Sequence, residues 1–307
     1  MPEPVKVAVL PKTTEPLTAV IKDAGAVITD LSKAQALIWT ESSPAGFPSS
    51  LPEGIRWVQL KSAGVQQWIT AGTVDERRQW TSAVGAYSLD VAEHAVGQLI
   101  ACLRQFPLFA RQTTWTKQEN WKRVASLRGR RIAIVGAGSI GRACIPLLTA
   151  FGAEVVAVNR SGRDVEGAIR TLTSENLDEA LGLADDAIIA GASTEQTRHL
   201  IGAGQLAQLG PDGFLVNIAR GDLVDTDALV AALQSGGLGG AALDVTEPEP
   251  LPDNHPLWVL PNVLITPHVA NPLRNMEPHF AAHAGENLRR FAAGEPLEAQ
   301  IDLKRKY

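Results

Sequence analysis

The segment Gly136-Ala137-Gly138-Ser139-Ile140-Gly141 restricts the fold more than any other, because it joins an apolar run, Arg131 to Val135, to the start of a helical pattern. In such a strand-turn-helix the three glycines act differently. The first permits the tight turn, the second lets backbone approach a phosphate, and the third lets helix and strand pack closely. The helix N-terminus then meets the anion with unpaired N–H groups. A dinucleotide is therefore expected against Gly136, Gly138, Ser139, Ile140 and Gly141. Further apolar runs follow at Glu154 to Val158, Ala187 to Ala190, Phe214 to Ile218, Gly240 to Val245 and Val263 to Thr266. With the first, they make six expected strands of one doubly wound sheet.

A similar alternation precedes this unit, with buried strands expected at Val5 to Leu10, Ala36 to Trp39 and Trp57 to Leu60. The prolines and serines of Glu41 to Gly54 mark a long surface loop. After Asp90 the apolar residues Ala92, Ala95, Val96, Leu99, Ile100 and Leu103 share one face of a helix that stops near Pro107. That stripe has two possible uses, burial in its own domain or contact with a second copy. A last helix is expected from about Met276 to Ala293. The resulting fold is α/β with two domains, a Rossmann nucleotide domain over residues 91–274 inserted in a substrate domain made of residues 1–90 and 275–307. Pro146 lies inside the helix that follows the glycines and has no functional account.

At 307 residues, 45% apolar and 20% charged, the chain has the composition of a globular protein. A net charge of -5 with no recurring basic block argues against nucleic acid as a partner. No leader-like pattern opens the sequence and no apolar run reaches the ~18 residues that span a bilayer, so a cytoplasmic protein without membrane contact is expected. Cys102 and Cys144 fall in apolar helical patterns and read as buried, inert thiols. His279 and His283 share a helical face without the glutamate of a metalloprotease helix, so no metal is expected. Glu93-His94 reads as helix capping and packing; Trp115 and Trp121 could line the cleft or a subunit contact, with core or partly exposed packing as the default reading.

Chemistry concentrates at three expected strand ends: Asn217-Ile218-Ala219-Arg220-Gly221, the acidic run Asp244 to Glu249, and Thr266-Pro267-His268-Val269-Ala270. Together they supply a guanidinium, carboxylates and an imidazole, a set able to orient a small acid and move one proton. After the second strand the sequence reads Asn159-Arg160-Ser161-Gly162-Arg163, with Arg160 about 20 residues past the glycines, where an NAD site places an acid on the ribose diol. Arg160 and Arg163 attract a 2′-phosphate that a carboxylate would repel, and Ser161 adds a hydrogen bond. NADP(H) is favoured on these grounds, with NAD(H) possible.

These motifs, with Ala242-Leu243-Asp244-Val245, Glu249-Pro250-Leu251, Pro261-Asn262-Val263, Glu286-Asn287-Leu288-Arg289-Arg290-Phe291 and Asp302-Leu303-Lys304-Arg305, resemble the D-isomer-specific 2-hydroxyacid dehydrogenases from about Ser62 onward. Ala63-Gly64-Val65 together with Asn159-Arg160-Ser161 is most similar to the NADPH-dependent glyoxylate and hydroxypyruvate reductases among them. The resemblance implies a flavodoxin-like substrate domain and an NAD(P)H-dependent oxidoreductase that interconverts small 2-keto acids and D-2-hydroxy acids. It implies that Arg220 binds the substrate, His268 is the acid/base, and Glu249, in preference to the nearby Glu247, orients His268. Ala63, Gly64 and Val65 would hold the substrate carboxylate through backbone N–H groups. Asn159, Ile218, Ala219, Asp244 and Ala270 would meet the cofactor, Asp244 at the nicotinamide carboxamide. Gln66 and Ala192 depart from the family's usual Asp and Pro. A homodimer built partly on the helix after Asp90 is expected. The alternative is a dinucleotide-sensing corepressor of the same family, without physiological turnover.

Overall fold

In the computed structural model, which describes residues 3–303, the apolar runs become strands of two sheets, and every strand pairing within them is parallel. The chain begins with β1 (Lys6–Leu10), α1 (Glu15–Asp23), β2 (Val27–Ile28), β3 (Ala36–Trp39), β4 (Trp57–Leu60), α2 (Gln66–Thr70) and β5 (Gln79–Thr81). It continues with α3 (Ser88–Leu103), α4 (Phe106–Phe109), α5 (Lys117–Asn120), β6 (Arg131–Val135), α6 (Ser139–Ala150), β7 (Glu154–Asn159) and β8 (Arg170–Thr173). Then come α7 (Leu177–Gly182), β9 (Asp186–Ile189), α8 (Ala203–Leu209), β10 (Phe214–Asn217), α9 (Thr226–Ser235), β11 (Gly240–Leu243), β12 (Val263–Ile265) and α10 (Leu273–Ala293). Two compact units result, one from the segments up to Tyr87 and from Pro272 onward, the other from Ser88–Asn271. Lys304 and Arg305, part of the family-like ending, lie outside the described residues.

The discontinuous unit carries the five-stranded sheet in the order β2-β1-β3-β4-β5, the flavodoxin-like order. Its central strands β1 and β3 read as apolar runs because both faces of the sheet are covered there. Val7, Val9, Ala36, Ile38 and Trp57 pack toward Leu17 and Ile21 of α1 and Phe280, Ala284 and Leu288 of α10. Ala8, Leu37, Trp39, Val58 and Leu60 pack on the other face with Trp68 and Trp80. The proline-rich loop is anchored there by Phe47, whose ring lies 4.9 Å from that of Trp39 and 5.5 Å from that of Trp68.

The inserted unit holds seven strands, ordered β12-β11-β10-β9-β6-β7-β8, instead of the six expected. The added strand, β8, pairs with β7 at the sheet edge and has only Leu172 buried, so its sequence lacks the apolar run that reveals central strands. The order reverses between β6 and β9, the switch point at which doubly wound sheets bind ligands. The apolar stripe of α3 is spent inside this unit: Ala92, Ala95, Leu99 and Leu103 are each fully buried, and the helix packs on α6 and across β10, β11 and β12. Pro146 falls on the exposed side of α6. Trp115 and Trp121 are not in the core: they are 92% and 68% exposed, Trp121 with the Lys117 ammonium 4.9 Å over its ring. Cys102 and Cys144 are buried, which pushes both thiols up to about 12.

Candidate active site

At the switch point the glycine turn is shaped by contacts that differ at each position. Gly136 has φ +98°, and a Cβ there would lie 2.3 Å from the backbone of Gly191 at the end of β9. Gly141 meets the Gly136 carbonyl and Ile134, so a side chain would push α6 off β6. Gly138, in contrast, faces space free of any atom within 4 Å, beside the first-turn N–H groups of Ser139, Ile140 and Gly141. A tight turn, an open second glycine and a helix N-terminus are what a pyrophosphate requires, so these residues fit a dinucleotide.

β7 ends in a turn that Asn159 organises from within. Its Nδ2 donates to the Arg163 carbonyl at 2.8 Å, and its Oδ1 accepts from the Ser161 N–H and hydroxyl at 3.0 and 3.1 Å. Asn159 is thereby committed to the turn, while Arg160, Ser161 and Arg163 are exposed on it.

Past β10, Asn217 sets the chain direction, donating from Nδ2 to the Arg220 carbonyl at 2.9 Å and accepting from Ala219 N–H at 3.1 Å. Ile218 and Ala219 are buried, and Arg220 emerges to solvent with Nη1 on the Ala219 carbonyl at 2.6 Å. Asp222 accepts instead from the Ser193 hydroxyl at 2.7 Å. The next residue after Arg220, Gly221, gives no sign of its part in the sequence. A Cβ there would lie 2.0 Å from the Thr246 carbonyl group, so the turn after Arg220 is wedged against the acidic run.

In that run the two glutamates part company. Glu247 takes Arg198 at 2.6 Å and His199 at 2.8 Å, and these bonds, working against burial, lower its pKa. Glu249 Oε1 lies 2.6 Å from His268 Nδ1, with both side chains partly exposed. A carboxylate only accepts, so Nδ1 carries a proton and Nε2 is the position left for exchange.

His268 adopts φ +54°, a left-handed conformation that costs a non-glycine residue about 1 kcal/mol or more. Asp244 supplies the restraint. Its carbonyl accepts the His268 N–H at 2.8 Å, and its carboxylate accepts Val269 N–H at 3.0 Å and Ala270 N–H at 3.1 Å. The Thr266 hydroxyl donates to the same carboxylate at 2.5 Å. Burial alone would raise the Asp244 pKa, but hydrogen bonds from His94, Thr266, Val269 and Ala270 overcome it and hold the group at about 2. His94, expected only to cap and pack, reaches across to Thr266 and Asp244 with its ring.

In the other unit, Ala63 and Gly64 are exposed after β4, with Val65 buried ahead of α2. Ser62 fixes the loop, its hydroxyl accepting from Trp68 Nε1 at 2.9 Å. His283 is turned inward, with Nε2 3.0 Å from the Ser82 carbonyl, and burial lowers its pKa.

A glycine-turned α/β sheet with an imidazole, its carboxylate partner and an arginine at its strand ends defines a dinucleotide-dependent oxidoreductase. Residues 96–270 match the NAD-binding domain of the D-isomer-specific 2-hydroxyacid dehydrogenases, and the chain belongs to that family. A glyoxylate reductase of Thermofilum pendens is 36% identical over 228 residues, 72% of this chain and 67% of the relative. A D-isomer-specific 2-hydroxyacid dehydrogenase of Xanthobacter autotrophicus, solved with NADPH and MES, is 26% identical with a TM-score of 0.82, covering 99% of this chain and 100% of that one. An NADPH-dependent glyoxylate/hydroxypyruvate reductase of Sinorhizobium meliloti, solved with NADP and sulfate, is 27% identical with a TM-score of 0.80 over 99% and 100% of the two chains. The protein is thus a nicotinamide-dinucleotide-dependent keto acid reductase of this family. No helix among the described residues is long and apolar enough to cross a membrane.

Proposed function

We propose that the protein reduces small 2-keto acids of the glyoxylate and hydroxypyruvate class to D-2-hydroxy acids, with NADPH preferred over NADH. The observation that carries this reading is the His268–Glu249 pair at 2.6 Å in one unit with Arg220 and the glycine turn. When bound, the reduced nicotinamide supplies a hydride to the keto carbon. Arg220 binds the substrate carboxylate with its planar fork, which a lysine would not reproduce. The N–H groups of Ala63, Gly64 and Val65 are the substrate's second support. His268 gives the Nε2 proton to the carbonyl oxygen, completing the hydroxyl, and Glu249 holds the resulting Nδ1–H imidazole in orientation. In the reverse direction Nε2 takes the hydroxyl proton.

The NADPH preference rests on Arg160, Ser161 and Arg163 at the end of β7, with an arginine at position 160 where an NAD site places an acid on the ribose diol. Ile218, Ala219 and Ala270 are assigned to the cofactor side, together with Asp244. The Asp244 Oδ2 atom, with Ala270 N–H as its donor, has a second lone pair for a carboxamide N–H. A homodimer with cytoplasmic location completes the reading.

Steady-state rates with glyoxylate, hydroxypyruvate, pyruvate and phenylpyruvate, each with NADPH and NADH, test it. Turnover of glyoxylate and hydroxypyruvate with NADPH preferred is expected, and His268→Ala and Arg220→Ala should each lower kcat/KM at least about 100-fold while NADPH still binds. Either variant working at the wild-type rate would overturn the assigned roles. Tight NADPH binding with no turnover of any keto acid would favour a dinucleotide sensor.

A further inference from the structure

Two polar side chains interrupt the apolar face of α3, His94 and Gln98, one helical turn apart. Both reach Thr266 Oγ1, Gln98 Nε2 at 2.9 Å and His94 Nε2 at 3.1 Å, and His94 Nε2 is also 3.4 Å from Asp244 Oδ1. The hydroxyl has a single proton, which goes to the Asp244 carboxylate, because an ionised carboxylate cannot donate. Thr266 Oγ1 is then an acceptor toward both residues of α3. It follows that Gln98 presents its amide N–H and that the His94 proton sits on Nε2, whatever the state of Nδ1.

The chain of bonds does not stop at Asp244. The same carboxylate grips the N–H groups of Val269 and Ala270, and the Asp244 carbonyl grips that of His268. Three consecutive backbone amides, beginning at a residue with φ +54°, hang on one aspartate whose far side faces α3. If the donors on α3 are removed, Thr266 and Asp244 gain freedom to rotate, and the left-handed turn loses what offsets its strain.

We propose that His94 and Gln98 are positioning residues for the reduction: acting through Thr266 and Asp244, their N–H groups fix the backbone turn that presents the His268 imidazole. This inference rests on His268 being the acid/base, as proposed above. It assigns a purpose to two residues whose polar contacts run to Thr266 and Asp244, and it ties the long helix of the inserted unit to the chemistry.

The test compares His94→Ala, His94→Gln, Gln98→Leu and His268→Ala, with NADPH and the best keto acid of the wild type. His94→Ala should lower kcat about tenfold or more with little change in keto acid KM, since a misplaced acid/base loses rate before it loses ground-state binding. His94→Gln, which restores an N–H donor near the Nε2 position, should recover most of that loss; a general weakening of the fold would not be repaired by it. Gln98→Leu should show the same split of kcat from KM, and it carries the test if His94→Ala does not fold. Wild-type kcat in His94→Ala or in Gln98→Leu, or a His94→Gln variant as slow as His94→Ala, overturns the inference. In any of those cases an inactive His268→Ala leaves the acid/base assignment standing. A fully active His268→Ala would overturn both.

Discussion

Asp244 shows how one buried carboxylate can set the geometry of a neighbour without touching it through its side chain. Its folded pKa of about 2, against 3.8 for an ordinary aspartate, corresponds to about 2 kcal/mol of stability at neutral pH. Because the folded value is depressed, the unfolded chain binds the proton first as pH falls. The contribution is complete above about pH 4 and is lost as pH drops toward 2. The stability gap between wild type and Asp244→Asn, from urea titrations, should therefore narrow by about 1 kcal/mol between pH 5 and pH 3. A gap that stays constant over that range would show that the carboxylate charge is not what the surrounding donors stabilise. Legibility in the sequence followed chemistry here. Arg220, Glu249 and His268 stood out as reactive types at strand ends, whereas the roles of Gly221 and Glu247 depend on contacts between segments far apart in the chain. Glu247 and Glu249 look alike on paper, and only their surroundings separate them, Arg198 and His199 for the first and His268 for the second.

Central strands announced themselves because both of their faces are buried, and β3, β4 and β6 begin and end at the residues that the apolar runs suggested. The edge strands β2, β5 and β8 did not. β2 has two residues, both exposed, and β5 and β8 are short and mixed in polarity. Gln59, in the middle of β4, breaks an apolar run without breaking the strand, because its polar atoms have partners. Its Oε1 accepts from Thr81 Oγ1 at 2.8 Å and from Asn287 Nδ2 at 2.9 Å, while Nε2 donates to the carbonyls of Leu60 and Ser82. Asn287 Oδ1 in turn accepts the Glu298 N–H at 2.8 Å, so α10 and the chain beyond it are held to the sheet by a fully buried amide pair. Asn287→Leu would leave the Glu298 N–H without its side-chain acceptor and remove one donor from Gln59. A loss of about 2–3 kcal/mol in unfolding free energy is expected. Differential scanning calorimetry should register it as a lower melting temperature; an unchanged one would mean that water replaces the amide at no cost.

The stripe on α3 offered two uses, and the inserted unit takes it up itself, so the proposed dimer would have to use other residues. Those available lie close by in the chain. Phe106, Trp115 and Trp121 are 56%, 92% and 68% exposed, an unusual concentration of large apolar side chains between α3 and β6, and Leu89 in the first turn of α3 is 72% exposed. Arg111 fastens this stretch to the turn before β12, donating to the Leu260 carbonyl at 2.6 Å, and Val259 on that turn is 78% exposed. Exposed tryptophans are costly to leave in water and are enriched where protein surfaces meet. With a net charge of only -5 over 307 residues, repulsion between copies is weak. A dimer that uses the residues following α3 is the arrangement these features favour. Sedimentation equilibrium at micromolar concentration should return twice the chain mass, and Trp115→Glu combined with Trp121→Glu should return a single chain, because a buried unpaired carboxylate at each position penalises association. A wild type that sediments as a monomer would reject the dimer, and a double variant that remains dimeric would move the contact elsewhere on the molecule.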